Sequence, residues 1–351
     1  MRKPKTFNNP ERFVEGWYWV MPSQNLRIGE VKPVTILGRN LVIYRGQDKR
    51  VVICDAYCPH MGAHLAEGKV EGNEIRCFFH HWKFDEQGIC TEIPCLAEPI
   101  PVKLKTWPIA EKYKMIWVWT GENPQQPIPF VPELEFEEYE SLLGSRIVTN
   151  CHPNVVMINP IDIQHFSTVH KLPLDIFFEK TELHQNAITF TKYRHSNKAP
   201  LLLKCIHLLN KNTIYQICYW YGSTFTLTVG PDSLHFYIML ALRLLESGKC
   251  EIQVITLTKK RHGIIGWLLN RLLLWLTSFL IHYFVKDDVK LLQTTRFDLK
   301  TPIKPDQSIM QLINHVERQK PLMWATWQLA RSREVEPKEN NNKWREDLTN
   351  D

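Results

Sequence analysis

From Trp17 to Thr120 the chain alternates short β-branched and aromatic runs with breaks rich in glycine and aspartate. The runs are Trp17–Val20, Val34–Leu37, Leu41–Tyr44, Val51–Cys54 and Met115–Trp119. Runs of this length, bounded by turn residues, predict a small antiparallel β domain. The pattern then fails at Gly121–Pro124 and at Pro127, Pro129 and Pro132, which marks a linker ending near the acidic run Glu133–Glu140. Beyond it, strand-like stretches (Ala187–His195, Thr213–Tyr221, Phe225–Val229, His235–Leu245, Cys250–Thr258) are set among helical ones (Asp162–Val169, Ile264–Val285, Lys286–Phe297). That order predicts an α+β domain built on an antiparallel sheet. The expected organisation is an arm over 1–16, a β domain over 17–121, a linker over 122–140, a second domain over 141–330 and a polar tail from Arg331. No internal repeat is visible.

One segment departs from this alternation. Gly263–Val285 is apolar over 23 residues, and a membrane-crossing helix needs about 20. Asn270, Arg271, Thr277, Ser278 and His282 interrupt it, and Gly266, Asn270, Thr277 and Ser278 fall near one helical stripe. A narrow polar stripe with a wide apolar remainder fits a buried core or substrate-covering helix, one lying on a membrane, or less well a true span.

Composition narrows the class. The 351 residues are 44% hydrophobic and 23% charged, enough for about two domains that each bury a core. A disulfide-stapled miniature and a disordered chain are excluded on that balance. The formal charge is +6, with basic residues dispersed except at Arg2–Lys5 and Lys259–Arg261, so a general nucleic-acid binder is not indicated. Nine cysteines, an odd number, and no charged-then-apolar leader at Met1–Pro10 predict a reducing, cytoplasmic setting.

Two constellations carry chemistry. The first is Cys58-Pro-His60 followed by Cys77-Phe-Phe-His80. Two thiolates and two imidazoles in matched pairs suit a two-iron, two-sulfide cluster, Cys58 and Cys77 on one iron and His60 and His80 on the other. The competing reading is structural zinc, which the single-residue gap of Cys-x-His disfavours. His64 and His81 stand beside these ligands and are read as surface or hydrogen-bonding residues. Cys54, Cys90, Cys95, Cys151, Cys205, Cys218 and Cys250 lack ligand spacing and are read as small buried hydrophobes. The second constellation is Asp162-Ile-Gln-His165 with His170. Five residues turn an α-helix by about 500°, so His165 and His170 share a face only if the helix ends or bulges between them.

The first set resembles the Rieske motif, Cys-x-His then Cys-x2-His, with Pro59, Gly62 and Trp82 in their usual places and with Phe78 for the usual proline and His81 for the usual glycine. The second resembles the Asp-x2-His-x4-His motif of Rieske-type non-heme iron oxygenases. This resemblance, running from about Trp17 to Arg296, implies an N-terminal all-β Rieske [2Fe-2S] domain followed by a helix-grip-like catalytic domain of antiparallel sheet and helices. It implies His165 and His170 as ligands to a mononuclear Fe(II), completed by an acid on a late helix, Asp288 or its neighbour Asp287. The alternative is that both are solvated acids at a helix N-terminus, favoured there by the dipole. By the same resemblance Asp162 links the Rieske histidine of one subunit to the iron of the next in a head-to-tail homotrimer. Two histidines and a carboxylate on one face of iron leave positions for dioxygen and substrate.

No Gly-x-Gly-x-x-Gly follows a strand and no plant-type cysteine run is present, so a separate NAD(P)H-dependent reductase, with or without a ferredoxin, is implied. Aromatic clusters at Phe177-Phe178, Tyr219–Tyr221, Phe225 and Phe236-Tyr237 fit either an apolar pocket or plain core. The stretch Trp82–Pro94 is similar to sterol- and ketosteroid-oxidising members, which points to monooxygenation of a hydrophobic polycyclic or isoprenoid substrate. The alternatives are a Rieske-type electron carrier whose second domain binds a partner, and a membrane-attached pigment or lipid oxygenase using Gly263–Val285 for contact.

Overall fold

A computed structural model describes residues 6–9, 12–171, 177–184, 187–193, 213–231, 234–245 and 249–322. The Arg2–Lys5 cluster, Cys205 and the tail from Arg331 lie outside the described residues.

The N-terminal half holds eleven strands in three antiparallel sheets. β1 (Trp17–Pro22), β11 (Met115–Trp119) and β10 (Ile109–Lys112) form one. β2 (Val31–Ile36), β3 (Arg39–Arg45), β4 (Val51–Asp55) and β9 (Thr106–Trp107) form the second. β5 (Lys69–Glu71), β6 (Glu74–Arg76), β7 (Lys83–Phe84) and β8 (Cys90–Glu92) form the third, which carries the second Cys/His loop between β6 and β7.

β1 and β11 are apolar throughout because both of their faces are buried. Trp17 opposes Trp119 and Trp19 opposes Trp117 on one face, while Tyr18, Val20, Ile116 and Val118 enter the separate core beneath β2–β4. The tryptophan face is continuous with Ile188, Phe190 and Ile217 of the second domain, so the two domains share one core. A glycine pair allows that approach. The turn after β15 (Thr213–Trp220) contains Gly222 at φ +78°, and a Cβ there would lie 2.3 Å from the carbonyl oxygen of Trp17.

The second half is a seven-stranded antiparallel sheet. Its order is β12 (Tyr139–Thr149), β18 (Cys250–Lys259), β17 (Phe236–Leu244), β16 (Thr224–Pro231), β15, β14 (Ala187–Tyr193) and β13 (Phe177–His184). Short helices α1 (Pro153–Val156) and α2 (Ile163–Thr168) follow β12, and α3 (Gly263–Thr294) packs on β12, β17 and β18. α4 (Gln307–Arg318) closes the described chain, burying Ile309, Leu312 and Val316 at helical spacing.

The predicted break between Val285 and Lys286 is absent: α3 is one helix of 32 residues, because no glycine or proline interrupts it there. Strand β12 begins inside the acidic run read as linker; Glu140 and Ser141 pair with Thr258 and Leu257. Tertiary pairing overrides the poor strand propensity of Glu. Cys54, Cys90, Cys151, Cys218 and Cys250 are buried as expected, but Cys95 is exposed, since it stands in the loop after β8 with no sheet to cover it.

Candidate metal centres

The first Cys/His loop turns tightly. The backbone N–H of Gly62 donates to the Cys58 carbonyl at 2.9 Å, and that of Cys58 donates to Ala63 at 2.9 Å. Gly62 sits at φ +74°, which a glycine adopts without strain. In the second loop the Cys77 N–H donates to the Trp82 carbonyl at 2.9 Å, and His81 takes φ +61°. That left-handed backbone is the reason glycine is usual at this position; in His81 it is held by the loop closure.

The four residues are brought together with the two element types separated. Cys58 and Cys77 are buried and in contact, while His60 and His80 are exposed with ring centroids 4.6 Å apart. Trp82 stacks on His60 at 4.4 Å with an interplanar angle of 5°, and Phe79 packs on His80 at 3.8 Å. Burial pushes the Cys58 thiol up to about 11, a cost that a bound cation reverses by taking the thiolate. Inner thiols and outer imidazoles are the donor set of a Rieske cluster. His64 is otherwise engaged: its Nδ1 accepts from the Ala66 N–H at 3.2 Å and its ring packs edge-on to Tyr57. His81 is exposed.

The second centre is built by helix ends. Asp162 caps α2, its Oδ1 accepting from the backbone N–H groups of Gln164 and His165 at 3.0 and 3.1 Å. α2 ends at Thr168, so His170 lies beyond the helix and turns back toward His165. Asp288 reaches the pair from α3. His165 Nε2 and His170 Nε2 are 3.0 Å apart, and Asp288 Oδ1 is 2.9 and 3.1 Å from them. Asp287, one residue away, is exposed.

This near-equilateral triangle tests the fit to a metal. Three ligands on one face of an octahedron at about 2.1 Å from an ion are about 3.0 Å apart. The side chains are only 4%, 8% and 15% exposed, and although the two imidazoles are within hydrogen-bond distance of each other, Asp288 Oδ1 receives no well-directed hydrogen bond, which leaves a buried acceptor aimed at the point a metal would take. Burial works to raise the Asp288 carboxyl, but the two imidazoles outweigh it and hold the group below the usual carboxylate range.

An aromatic shell surrounds the triangle. Phe284, one turn before Asp288, packs edge-on to His170 at 5.7 Å, and Phe166 packs edge-on to Tyr215 at 5.6 Å. Phe178 lies 6.0 Å from Tyr215, whose hydroxyl donates to the Pro160 carbonyl at 3.0 Å. Behind α2, Gln164 donates to Asp306 at 3.1 Å and Ser308 donates to the Ile161 carbonyl at 2.8 Å. The sequence reading missed Phe166, Tyr215, Phe284 and Asp306. The first stands beside His165, and Phe284 precedes Asp288 by four residues, the spacing of helical neighbours. A cavity of about 630 Å³ lined by Trp19, Arg146 and Arg243 contains none of these residues.

Residues 16–108 match the family model for the Rieske [2Fe-2S] domain, and residues 116–264 match that for the 3-ketosteroid 9alpha-hydroxylase C-terminal domain. Side by side on one chain, the two models are the domain pair of the Rieske-type non-heme iron oxygenases. Among curated members of the family it is 38% identical over 167 residues to a cholesterol 7-desaturase of Ciona intestinalis, covering 46% of this chain and 35% of the relative. It is 34% identical over 168 residues to a probable 3-ketosteroid-9-alpha-monooxygenase oxygenase component of Rhodococcus rhodochrous, covering 46% and 42%. With the aminopyrrolnitrin oxygenase PrnD of Pseudomonas fluorescens the identity is 33% over 186 residues, covering 50% and 51%. The matches thus span about a third to a half of these relatives' length.

Solved Rieske-type oxygenases share the fold over nearly the whole chain. NdmB of Pseudomonas putida CBB5 superposes with a TM-score of 0.65 at 17% identity, covering 90% of this chain and 93% of that one. Dicamba monooxygenase bound to dicamba gives 0.62 at 18%, covering 92% and 99%. The expected all-β first domain and sheet-and-helix second domain are therefore what is found. The cofactors of a Rieske-type oxygenase are a [2Fe-2S] cluster and a mononuclear iron, and this chain has a fitting donor set for each.

Proposed function

We propose that this chain is a cytoplasmic terminal oxygenase component that monooxygenates a hydrophobic substrate of polycyclic or isoprenoid type. The observation that carries the reading is the largely buried His165, His170 and Asp288 triangle on the same chain as the paired Cys/His loops. An electron carrier needs the loops but not the triangle. The sterol- and ketosteroid-acting names among the relatives support the substrate class.

When bound, the cluster supplies single electrons and the mononuclear iron supplies dioxygen activation. The chain's own residues do the rest. Cys58, Cys77, His60 and His80 would hold the cluster, with the imidazole pair at the surface where electrons enter and leave. His165, His170 and Asp288 would hold the iron, each presenting one donor atom to a common point. Phe166 and Tyr215 keep water from that point, and Phe284, itself part-exposed, packs on His170 and limits the imidazole's rotation. Asp162 keeps α2 capped through Oδ1, leaving its second carboxylate oxygen to receive a neighbour's Rieske histidine. No hydrogen bond, ion pair or ring contact joins the two centres within the described residues of one chain, which fits transfer between subunits of a homotrimer. Electrons would come from a separate NAD(P)H-dependent reductase, with or without a ferredoxin.

The test is single turnover of the anaerobically purified, chemically reduced protein with a panel of sterols and ketosteroids under labelled dioxygen. One labelled oxygen atom in a product is expected. His165→Ala should abolish product while the Rieske electron paramagnetic resonance signal persists. Loss of the signal together with product would mean that the two centres are misassigned, and product formation by His165→Ala would remove the triangle from the chemistry.

A further inference from the structure

Helix α3 is apolar on both sides. Its buried positions are Gly266, Asn270, Leu274, Thr277, Ile281 and Leu292, while Ile265, Leu268, Leu272, Trp275, Phe279 and Tyr283 stand on the outer side and are all exposed, Trp275 at 61% and Tyr283 at 68%. Helices of water-soluble proteins place large apolar residues inward and polar ones outward. An outer apolar row from Ile265 to Tyr283, about 27 Å long at 1.5 Å per residue, exceeds the scattered apolar exposure normal for a monomer.

The inner side of the helix is committed to the protein. Asn270 Nδ2 donates to Glu140 at 2.9 Å, and Asn270 Oδ1 accepts from Arg261 at 3.2 Å. A Cβ on Gly266 would be 2.8 Å from the Arg261 carbonyl carbon, so the first turn of the helix is folded tightly against the connection that leaves β18, and the helix packs on β12, β17 and β18. A helix tied along its length to a sheet cannot cross a bilayer, but it can lie on one.

The charges around the outer face are those that anionic headgroups attract. Arg271, Lys286 and Lys290 are exposed and have no carboxylate partner among the described residues, and the only outward acid of the helix is Asp287. The neighbouring Lys259 and Lys260 are already paired with Glu137 and Glu138 and add little. Trp267, Trp275 and Tyr283 are the side chains that favour the headgroup boundary.

We propose that the outer face of α3 seats the protein on the surface of a bilayer containing anionic lipid. Asp288 is on the inner side of the same helix, five residues beyond Tyr283, so the candidate iron centre stands beside that surface. Seating rests on the helix alone. Delivery of an apolar substrate from the bilayer rests on the oxygenase reading above.

The experiment is co-sedimentation of the full cluster-loaded chain with vesicles of phosphatidylcholine alone or mixed with phosphatidylglycerol. The expected result is pelleting with the anionic vesicles and at least tenfold weaker binding to the neutral ones. Leu272→Glu with Phe279→Glu should reduce binding at least tenfold while circular dichroism and the Rieske signal stay unchanged. Arg271→Glu with Lys290→Glu should remove the preference for phosphatidylglycerol. Quenching of tryptophan fluorescence by brominated lipid, lost on Trp267→Phe with Trp275→Phe, checks seating without a charge placed on the apolar row. No binding to either vesicle, or binding unaffected by the glutamates, overturns the proposal. So does a lipid-free oligomer whose mass falls in the glutamate variant, because the face would then be covered by a second copy of the chain. Vesicle binding without oxygenated product would sink the oxygenase reading and leave the docking surface standing.

Discussion

Asp162 caps α2 through Oδ1, and the same carboxylate is the one proposed above for electron transfer between subunits. Two substitutions separate these jobs. Asp162→Asn keeps a good capping residue and should change stability by a few tenths of a kcal/mol while slowing turnover; Asp162→Ala should lose turnover and also about 1 kcal/mol. Denaturant midpoints alongside rapid-mix reoxidation of the cluster check both, and normal reoxidation in the Asn variant would take Asp162 out of the path. His152 offers a prediction about pH. Burial lowers its pKa to about 4, only partly offset by a backbone hydrogen bond to Asn9. A histidine whose folded value lies below its unfolded one binds more protons when unfolded. Stability is therefore full above about pH 6.5 and falls as pH drops toward 4, by about 3 kcal/mol for this residue. His152→Gln should flatten that part of the pH profile of thermal melting, measured as the difference from the parent chain. An unchanged slope would mean that His152 binds its proton equally well folded and unfolded.

At the scale of elements, what could be read from the sequence depended on whether the signal was local. The two Cys/His loops were legible because each pair, with its turn residues, lies within a few positions of the chain. The His165 and His170 pair was legible only conditionally, since it required the helix to stop between them. It does so after Thr168 with no glycine or proline to announce it. Asp288 against Asp287 was left open, although the polar stripe held the answer: Asp288 follows Asn270 by 18 residues, five full helical turns, and so shares its inward face, whereas Asp287 is turned by about 100°. β12 escaped because its strand character comes from pairing with β18, over a hundred residues away. The α2 support from Asp306 and Ser308 is equally non-local. Ser308→Ala should leave the buried Ile161 carbonyl without its donor and cost about 1 to 2 kcal/mol, with weaker iron retention at the second centre on dialysis. Iron retention equal to that of the parent would show that α4 does not steady α2.

For the whole molecule, the shared tryptophan core ties the two halves into one cooperative unit. Gly222 is the test position, because an added Cβ meets the Trp17 carbonyl and the residue needs positive φ. Gly222→Ala should cost at least about 2 kcal/mol and lower a single melting transition seen equally by cluster absorbance and far-ultraviolet circular dichroism. If instead the cluster signal melted separately from the sheet, the halves would be independent.

That continuity also bears on how such a chain can be rearranged. Trp17, Trp19, Trp117 and Trp119 belong by sequence to the cluster-bearing half but by packing to a core that includes Ile188, Phe190 and Ile217. A chimera joined in the proline-rich segment between Gly121 and Pro132 would thus cut the polypeptide at a natural seam while splitting a packed interior. Exchange of the electron-donating half between relatives should succeed only when the residues facing those four indoles, and the glycines at positions 16 and 222, travel with it.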